Sequence, residues 1–466
     1  MAVGVPVRAH EWNATAALVF TCLLGALVQT IIVSVQADLP RLLDASREET
    51  AWAITATITT GCAVAPVAGR LGDLYGHRRV IVSLLGVFVV GSVVCGVAES
   101  VWSLIVGRAL QGAAVGVIPV ATSMLRNVVS GPRLPLAFAV VAGTMGVGSA
   151  FGIPLGAVLA THVDWRVMFW LCCVLGLGCV VWIRWGVPVD GPRPDGRFDV
   201  VGAAGSSLGA VAVLVGLSGL LVQGWDAPST VVPAAVGLAV LGLTGVHLWY
   251  HRAPLINVRL ALRPRLLLTN VASAAVNFGM MSMLVFFPQL LVLPPVVGGL
   301  GLGAGAASAI MAASGLAQLC VTPLSARLSR SLDPGRILAL AALLLTLALV
   351  LGVAAGAQLW AVVLVLIAGG AAIGIALAAV PLVIHDAVSP SDIATAHGLN
   401  AQIRMFGTAA AAAAIGAVLA SQTIAGAPTP AGFIWAGLTA AAATGVGAGL
   451  GFLIPRQAPE KLPHAS

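Results

Sequence analysis

Charged residues are scarce in this sequence, since Asp, Glu, Lys and Arg together make up only 8% of its 466 residues. A further 59% of the residues are hydrophobic, which excludes an ordinary water-soluble globule. Apolar runs of about 20 residues recur, the length at which a helix crosses the hydrocarbon core of a membrane. Lipid offers no partners for unpaired backbone groups, so these runs are expected to be helical. The sequence therefore predicts an all-α polytopic membrane protein.

Signatures of metal binding and catalysis are also lacking. The seven cysteines all lie inside apolar runs without metal-site spacing, and we expect them to pack as small apolar residues. No P-loop sequence occurs. The protease-like sequence GLSG contains Ser218, but the nearest histidine, His247, is expected roughly 25 Å away across the membrane. The sequence thus predicts no metal site, no cofactor and no enzymatic activity.

Lysine is almost absent, with one lysine against 22 arginines, and the formal net charge is +7. Basic residues of membrane proteins collect in cytoplasmic loops, which accounts for this excess without a nucleic-acid partner. With both termini cytoplasmic, 18 of the 23 basic residues fall inside, while Arg41, Arg47 and Arg166 fall outside. Arg108 and Arg404 lie within spans. This distribution supports an even number of spans, with membrane lipids beside the basic loops.

Turn and charge signals divide the chain into fourteen predicted spans. They cover residues 14–37, 50–69, 79–98, 101–124, 136–160, 167–187, 201–222, 230–249, 266–290, 303–324, 336–355, 359–384, 398–421 and 430–454. The sequence PVAGRLGDLYGHRRV at Pro66 has a counterpart, PLSARLSRSLDPGRI, at Pro323, 257 residues later. This repeat predicts two homologous bundles with a site between them. The predicted domains are an N-terminal six-helix bundle at 14–187, two additional helices at 201–249 and a C-terminal six-helix bundle at 266–454.

Two motifs resemble those of the major facilitator superfamily. The family's loop motif after the second helix is matched by Gly69, Leu71, Asp73, Gly76, Arg78 and Arg79, with His77 at a usually basic position. Its fourth-helix motif is matched in LIVGRALQG by Arg108, Gln111 and Gly112. With fourteen spans, the chain resembles the drug:proton antiporter branch and is similar to actinobacterial multidrug exporters.

Two features depart from the pattern of that branch. Val28 and Gln29 occupy the region of the first helix where many members carry an Asp. The fifth-helix antiporter motif is present as GSAFGIPLGA, with altered spacing. Its small and kinked character is retained by Gly148, Gly152, Pro154 and Gly156.

The resemblance implies a major facilitator fold in which two six-helix bundles and two extra helices give fourteen transmembrane helices. It also implies a monomeric transporter of a bacterial inner membrane. Such a protein exports small amphipathic compounds by alternating access, with protons and their gradient as the energy source and no other cofactor. Two alternatives stay open. One is an uptake carrier or facilitator without proton coupling, and the other is a sensor or scaffold that transports nothing.

In the family, the loop after the second helix forms part of an inner gate. Asp73 is expected to meet basic groups and a helix N-terminus of the opposite half, where a carboxylate is favoured. Gly69 and Gly76 are expected to permit a tight turn. Charge-assisted contacts are expected from Arg70, Arg78 and Arg79. The alternative is a basic anchor that only sets topology.

Arg108 needs a partner, because a charge inside the membrane costs roughly 2.5–3.5 kcal/mol even on lenient scales. Asp38 flanks the outer end of span 1, which neighbours span 4 in this fold. We predict that Asp38 and Arg108 form a proton-responsive pair, in which protonation of the acid releases the arginine. The alternative leaves Arg108 bonded to backbone carbonyls and Asp38 as a surface cap.

The substrate cavity of this fold is lined chiefly by spans 1, 4, 9 and 12. In span 9, Asn270, Asn277 and Met281 are spaced to share one helical face. The predicted cavity residues are Gln29, Thr30, Gln36, Gln111, Asn270, Asn277, Met281, Phe286 and Arg404. Methionine and phenylalanine suit a promiscuous apolar site, although plain packing is the alternative for the methionines. Spans 7 and 8 carry no buried charge and are expected to be peripheral.

Overall fold

Helices make up almost all of the described structure. The computed structural model describes residues 7–32, 35–36, 38–129, 133–188, 196–223, 227–389, 392–424 and 427–455. Within these ranges, fourteen helical segments are long and apolar enough to cross a membrane, and each corresponds to one predicted span. The span count and the all-α membrane fold are therefore confirmed. Both termini lie outside the described residues, so their cytoplasmic location stays a prediction.

The elements follow one another in a simple order along the chain. The helices are α1 Val7–Ile31, α2 Leu39–Leu42, α3 Arg47–Tyr75, α4 His77–Gly96, α5 Val101–Gln111, α6 Val117–Val128, α7 Leu134–His162, α8 Val167–Gly186, α9 Val200–Gln223, α10 Pro228–Tyr250, α11 Val258–Ala261, α12 Pro264–Val292, α13 Ala304–Leu328, α14 Pro334–Ala355, α15 Leu359–Ala387, α16 Ile393–Ser421 and α17 Pro430–Phe452. A 3-10 segment, Gly112–Gly116, joins α5 to α6 within one span. Strands β1, Thr423–Ile424, and β2, Ala427–Pro428, form one short antiparallel pair.

Two large buried apolar clusters hold the helices together. One is built mainly from α12, α14, α15 and α17, and the other mainly from α1, α4, α6 and α8. The two groups meet where α7 packs against α13 and α15, and where α3 packs against α16. The packing thus follows the two predicted six-helix groups, while the domain limits given above stay predictions.

The two extra helices have different surroundings. Helix α10 packs on α9, and α9 packs on both α3 and α16, so α9 bridges the two groups. Ser207 Oγ donates to the carbonyl of Ala63 in α3 at 3.0 Å, and Gln402 of α16 donates to the carbonyl of Ser206 at 3.5 Å. The expectation that both helices are peripheral is therefore wrong for α9. Besides these two hydrogen bonds, Ala210 and Leu214 of α9 form a buried apolar cluster with Cys62, against which Met405 and Phe406 pack.

The motif segment after the second span is mostly helical. Helix α3 continues through Tyr75, and α4 begins at His77, so a single residue separates them. Gly76 has φ +103°, a backbone conformation that favours glycine. The predicted tight turn thus depends on Gly76 alone. Gly69 lies inside α3 instead of in a loop, which corrects the prediction for that residue.

Candidate gate and transport cavity

Asp73 of α3 makes the main polar contact between the two groups of helices. Its side chain is buried, and Oδ2 accepts hydrogen bonds from the backbone N–H of Thr395 at 3.0 Å and from Thr395 Oγ1 at 2.7 Å. Thr395 is the third residue of α16, so the carboxylate faces a helix N-terminus, where negative charge is stabilised. The expected contact with a helix N-terminus of the opposite half is therefore present. We call this end of the molecule the gate end.

Glycines bring the backbones of α3 and α16 close together beside Asp73. A Cβ atom on Gly69 would collide with the carbonyl oxygen of Ala394. A Cβ atom on Gly398 would lie only 2.5 Å from the carbonyl oxygen of Ala65. The two groups of helices are thus in direct backbone contact, and the gate end is closed at this seam.

The basic residues around Asp73 do not form the cluster that we expected. Arg78 Nη1 donates to the carbonyl of Val187 at 2.9 Å, which lies in the same group of helices. Arg79 is exposed, and Arg70 Nε is buried without a hydrogen-bond acceptor among the described residues. His77 lies 3.6 Å from Asp73 Oδ1. The contact across the seam therefore comes from the Thr395 backbone and hydroxyl, because the seam is too tightly packed for long side chains.

Arg108 is fully buried in the eighth position of its span, Val101–Val128, with a side chain held by three acceptors. Its Nε donates to the carbonyl of Ala53 at 3.2 Å. Its Nη1 donates to the carbonyl of Val28 at 3.1 Å and to Gln111 Oε1 at 2.9 Å. Gln111 in turn donates to Ser92 Oγ at 2.8 Å. This network ties α5 to α1, α3 and α4.

Asp38 lies apart from this network. It is exposed and stands at the N-terminus of the short helix α2, whereas Arg108 makes its bonds within the bundle. The two residues do not form the predicted pair in this conformation. The reason is that α1 ends at Ile31, seven residues earlier, so Asp38 is not carried on the helix beside α5. Any part of Asp38 in proton coupling stays a prediction.

A central cavity of about 600 Å³ lies between the two groups of helices. Its wall runs from the middle of the bundle to Gln36 and Trp52, near the end opposite the gate. Four of the predicted cavity residues lie on this wall, namely Gln29, Thr30, Gln36 and Met281. Their placement agrees with the prediction, and their role in binding stays untested.

Five predicted cavity residues lie elsewhere. Gln111 is buried against Arg108 and Ser92, and Asn270 accepts a hydrogen bond from Asn400 at 2.9 Å. Asn277 donates to the carbonyl of Ser273 in its own helix at 2.8 Å. Only the position of Asn270 follows from the packing of α16 against α12, while Gln111 and Asn277 are occupied by bonds within their own groups of helices.

The other two predicted cavity residues, Phe286 and Arg404, also lie off the cavity wall. Phe286 lines a separate, smaller pocket of about 100 Å³ with Phe287 and Phe433. Arg404 also lies off the wall, and its buried Nε has no acceptor within the described part of the chain.

The wall contains many residues that the prediction missed, because candidates were sought chiefly on spans 1, 4, 9 and 12, with Arg404 added from span 13. Helices α3, α7, α9, α13 and α16 contribute to the cavity as well. Soft or aromatic side chains among them are Trp52, Met145 and Met311. A search for methionines on every span would have included Met145 and Met311, but not Trp52.

The residues of the antiporter-like helix α7 determine how closely α1 packs on it. Thr30 Oγ1 donates to the carbonyl of Gly148 at 2.8 Å. A Cβ atom on Gly148 would lie 2.6 Å from the Cβ of Ala26, and one on Gly152 would collide with Thr30. Pro154 lies inside α7 and Gly156 is buried. The small residues thus serve close helix packing on the cavity side, and any part in antiport stays a prediction.

The sequence was compared with models of known protein families. The sequence model described as Major Facilitator Superfamily matches residues 16–412. The chain belongs to the major facilitator superfamily. Its fold of closely packed helical bundles around a central cavity is the fold of a membrane transporter, and the family resemblance read from the two motifs is confirmed.

Several transporters share part of this sequence. The Multidrug resistance protein B homolog of Mycobacterium tuberculosis is 29% identical over 277 residues, covering 58% of this chain and 51% of that protein. The Cephamycin export protein CmcT of Amycolatopsis lactamdurans is 33% identical over 260 residues, covering 53% of each chain. An uncharacterized MFS-type transporter of M. tuberculosis is 32% identical, covering 58% of this chain and 40% of that protein. The chain thus spans about half the length of these curated relatives.

Solved structures share the fold at low sequence identity. The human organic anion transporter MFSD10 (TETRAN) aligns with a TM-score of 0.65 and 16% identity, covering 97% of this major facilitator chain and 99% of that one. The proton:xylose symporter XylE aligns with a TM-score of 0.68 and 12% identity, covering 96% and 97%. At such identities, the likeness concerns the fold alone.

Proposed function

We propose that this transporter exports small amphipathic compounds from a bacterial cell across its inner membrane, driven by the proton gradient. The observation that carries the proposal is the cavity, which is closed at the Asp73 seam and reaches towards the opposite end. A single site closed at one end is what alternating access between two bundles requires. Two of the relatives carry names that refer to multidrug resistance and export.

The chemistry of the wall supports an amphipathic substrate. Methionine side chains adapt to different apolar shapes, and Trp52 offers an aromatic face. A few polar groups, including Gln29, Gln36 and Gln318, interrupt this apolar surface. A volume of about 600 Å³ is within the usual range for drug-sized ligands. The wall thus favours bulky, mostly apolar molecules with a few hydrogen-bonding groups.

Proton coupling requires a group that gains and loses a proton during the cycle. Among the described wall residues there is no carboxylate or histidine. Asp38 follows the wall residue Gln36 by two positions and is exposed at that end, where it can exchange protons with the medium. We therefore retain Asp38 as the proton-coupling candidate, acting at the mouth of the cavity, with Arg108 as its candidate partner in another conformation.

The test uses the purified full chain in liposomes. Ethidium movement is followed under an imposed pH gradient for the wild type, Asp38→Asn and the control Asp44→Asn. Asp44 is exposed with φ +47°, a conformation that asparagine accepts, so the control should be harmless. The proposal expects gradient-driven transport in the wild type and the control, and its loss in Asp38→Asn. Unchanged pH dependence in Asp38→Asn would remove Asp38 from the coupling mechanism.

A second candidate function is a facilitator without proton coupling. It is favoured by the same lack of a wall carboxylate in the described residues and by Val28 and Gln29, which occupy the first-helix region that many antiporters equip with an Asp. In the liposome experiment, a facilitator would equilibrate ethidium at a rate independent of the pH gradient. A chain that moves no ethidium under any gradient would contradict both candidates for this substrate class.

A further inference from the structure

Three metal-ligating side chains meet at the gate end of α9 and α10. Asp199 immediately precedes α9, His247 lies in the last turn of α10, and His251 is the residue that follows α10. His247 Nε2 lies 3.0 Å from Asp199 Oδ1, and His251 Nε2 lies 3.9 Å from the same oxygen. One ligand atom of each of the three lies within 4.8 Å of the other two.

The carboxylate of this cluster is held firmly in place. Asp199 is 3% exposed, and its Oδ1 accepts a hydrogen bond from the backbone N–H of Gly202 at 2.8 Å. Its Oδ2 accepts one from the backbone N–H of Leu255 at 3.1 Å. Burial by itself would raise the pKa of the Asp199 carboxyl, but the hydrogen bonds from Gly202, His247 and Leu255 lower it below its ordinary value. The group is therefore a preorganised anion.

A helix cap would explain Asp199 but not the two imidazoles. To cap α9, Asp199 needs only its hydrogen bond from Gly202. For a side-chain partner, the carboxylate needs only His247, so neither role requires His251. His251 lies beyond hydrogen-bond distance of Asp199, yet its ring centroid is 4.9 Å from that of His247. The two rings thus direct nitrogen atoms towards one carboxylate oxygen, an arrangement that suits a shared ion.

We propose that Asp199, His247 and His251 bind a divalent transition metal of the zinc class. Zinc is bound by imidazole nitrogen and carboxylate oxygen at about 2.0–2.2 Å, so neighbouring ligand atoms lie roughly 3.3 Å apart in a tetrahedral site. The 3.0 Å separation between His247 and Asp199 is close to this spacing, the 3.9 Å separation between His251 and Asp199 must shorten by less than about 1 Å, and the two imidazole nitrogens, now within 4.8 Å of each other, must also move together. Two imidazoles favour such a metal over calcium or magnesium, which prefer oxygen ligands.

The exposure of the residues determines how the metal enters. The His251 side chain is 40% exposed, so an ion can reach the cluster from solvent, and water can complete its coordination. A bound metal would replace the hydrogen that His247 and Asp199 share.

Binding here would join two separate parts of the chain. Asp199 immediately precedes α9, and the two histidines lie at and just after the end of α10, while Leu255 on the connection to α12 already donates to Asp199. Because α9 packs on both groups of helices, a metal at its gate end would restrain its movement relative to α10. The metal site itself does not depend on the proposed export function.

The test measures metal binding by the purified full chain in detergent after chelator treatment. Zn²⁺ is titrated by calorimetry, and Co²⁺ serves as an optical probe, for the wild type, His247→Asn, His251→Asn and the control His162→Asn. His162 is an exposed histidine at the end of α7, where its ring contacts the carbonyl of Val158 in its own helix. The proposal expects one strong site in the wild type and control. It expects affinity to fall by at least about tenfold in either cluster variant.

His251→Asn is decisive, because that side chain makes no hydrogen bond to Asp199 and its loss should leave the fold intact. Gel filtration and thermal unfolding of each variant check this directly. Zinc binding of equal strength in His251→Asn and the wild type would overturn the proposal, as would a wild type that binds no zinc. Binding lost equally in His162→Asn would also overturn it, since the metal would then be bound elsewhere.

Discussion

The carboxylate of Asp73 accepts two hydrogen bonds from Thr395, a residue 322 positions further along the chain. One comes from the backbone and one from the hydroxyl, so a single side chain caps the first turn of α16 across the seam between the two groups of helices. A contact of this kind is suited to opening and closing. Each bond is strong while the seam excludes water, and each group can be hydrated when the seam opens.

Removing the Thr395 hydroxyl should loosen the gate end. Thr395→Val keeps the shape and the backbone bond but loses the hydrogen bond at 2.7 Å, whereas Thr395→Ser keeps both donors. A hydrogen bond to a charged group is worth about 1.5–3 kcal/mol, so opening at the seam should rise roughly tenfold or more in the valine variant. Hydrogen–deuterium exchange at the start of α16 measures this. Equal exchange in the two variants would mean that the hydroxyl does not hold the seam.

Adding a methyl group at Gly69 should prevent close packing of α3 on α16. Gly69→Ala places Cβ against the carbonyl of Ala394, and the backbones must separate. We expect a loss of about 1–3 kcal/mol in stability and a large loss of transport. Gly86→Ala is the control, because a Cβ atom there meets nothing within 4 Å. Thermal unfolding and ethidium transport are compared, and a Gly69→Ala protein that behaves like the control would contradict the closed seam.

Replacing Arg108 should destabilise the bundle that contains α1, α3 and α5. Arg108→Gln leaves the carbonyls of Ala53 and Val28 and the amide of Gln111 without the guanidinium that now bonds to them. Buried polar groups without partners cost about 1–3 kcal/mol each, so a loss on the order of 3 kcal/mol is expected. Thermal unfolding in detergent provides the measurement. Arg133→Gln, at a side chain that is 53% exposed, should change stability by less than about 1 kcal/mol.

Two substitutions in α12 should separate the transport cavity from the smaller pocket. Met281 lies on the wall of the cavity, whereas Phe286 lies in the other pocket. Met281→Ala removes about 1 kcal/mol of apolar contact and should raise the half-saturating ethidium concentration about fivefold. Phe286→Leu should leave that concentration unchanged. The reverse result would place the binding site in the smaller pocket.

The fold was predictable to a large extent because membrane spanning depends on composition and length. The fourteen apolar runs agree with fourteen helices in the described residues, and Gly76 is the one of the two predicted turn glycines that lies at the turn. Asp73 was predicted to meet a helix N-terminus, but the sequence could not indicate that Thr395 is the partner. That pairing depends on how closely α3 and α16 pack against each other. The small residues of the two helices permit a close approach, but the sequence does not show which helices approach each other.

The errors in the candidate site also have physical causes. Asp38 was placed beside Arg108 by assuming that α1 continues, whereas the helix ends at Ile31. The expectation of no metal site stays a prediction; it relied on spacing along the chain, which says nothing about Asp199 and His247, 48 residues apart. Only the packing of α10 on α9 brings these residues together. Long-range side-chain clusters of this kind leave no local pattern in the sequence.

The position of helix α9 affects how an apolar compound could reach the cavity from the lipid bilayer. Leu214, Leu217 and Ser218 of α9 form part of the cavity wall, and α9 packs on α3 and α16. On this side, the cavity therefore borders on protein rather than acyl chains. A compound dissolved in the bilayer on this side would therefore meet the described part of α9 before it met the cavity. Helix α9 thus separates the cavity from the lipid on this side of the protein.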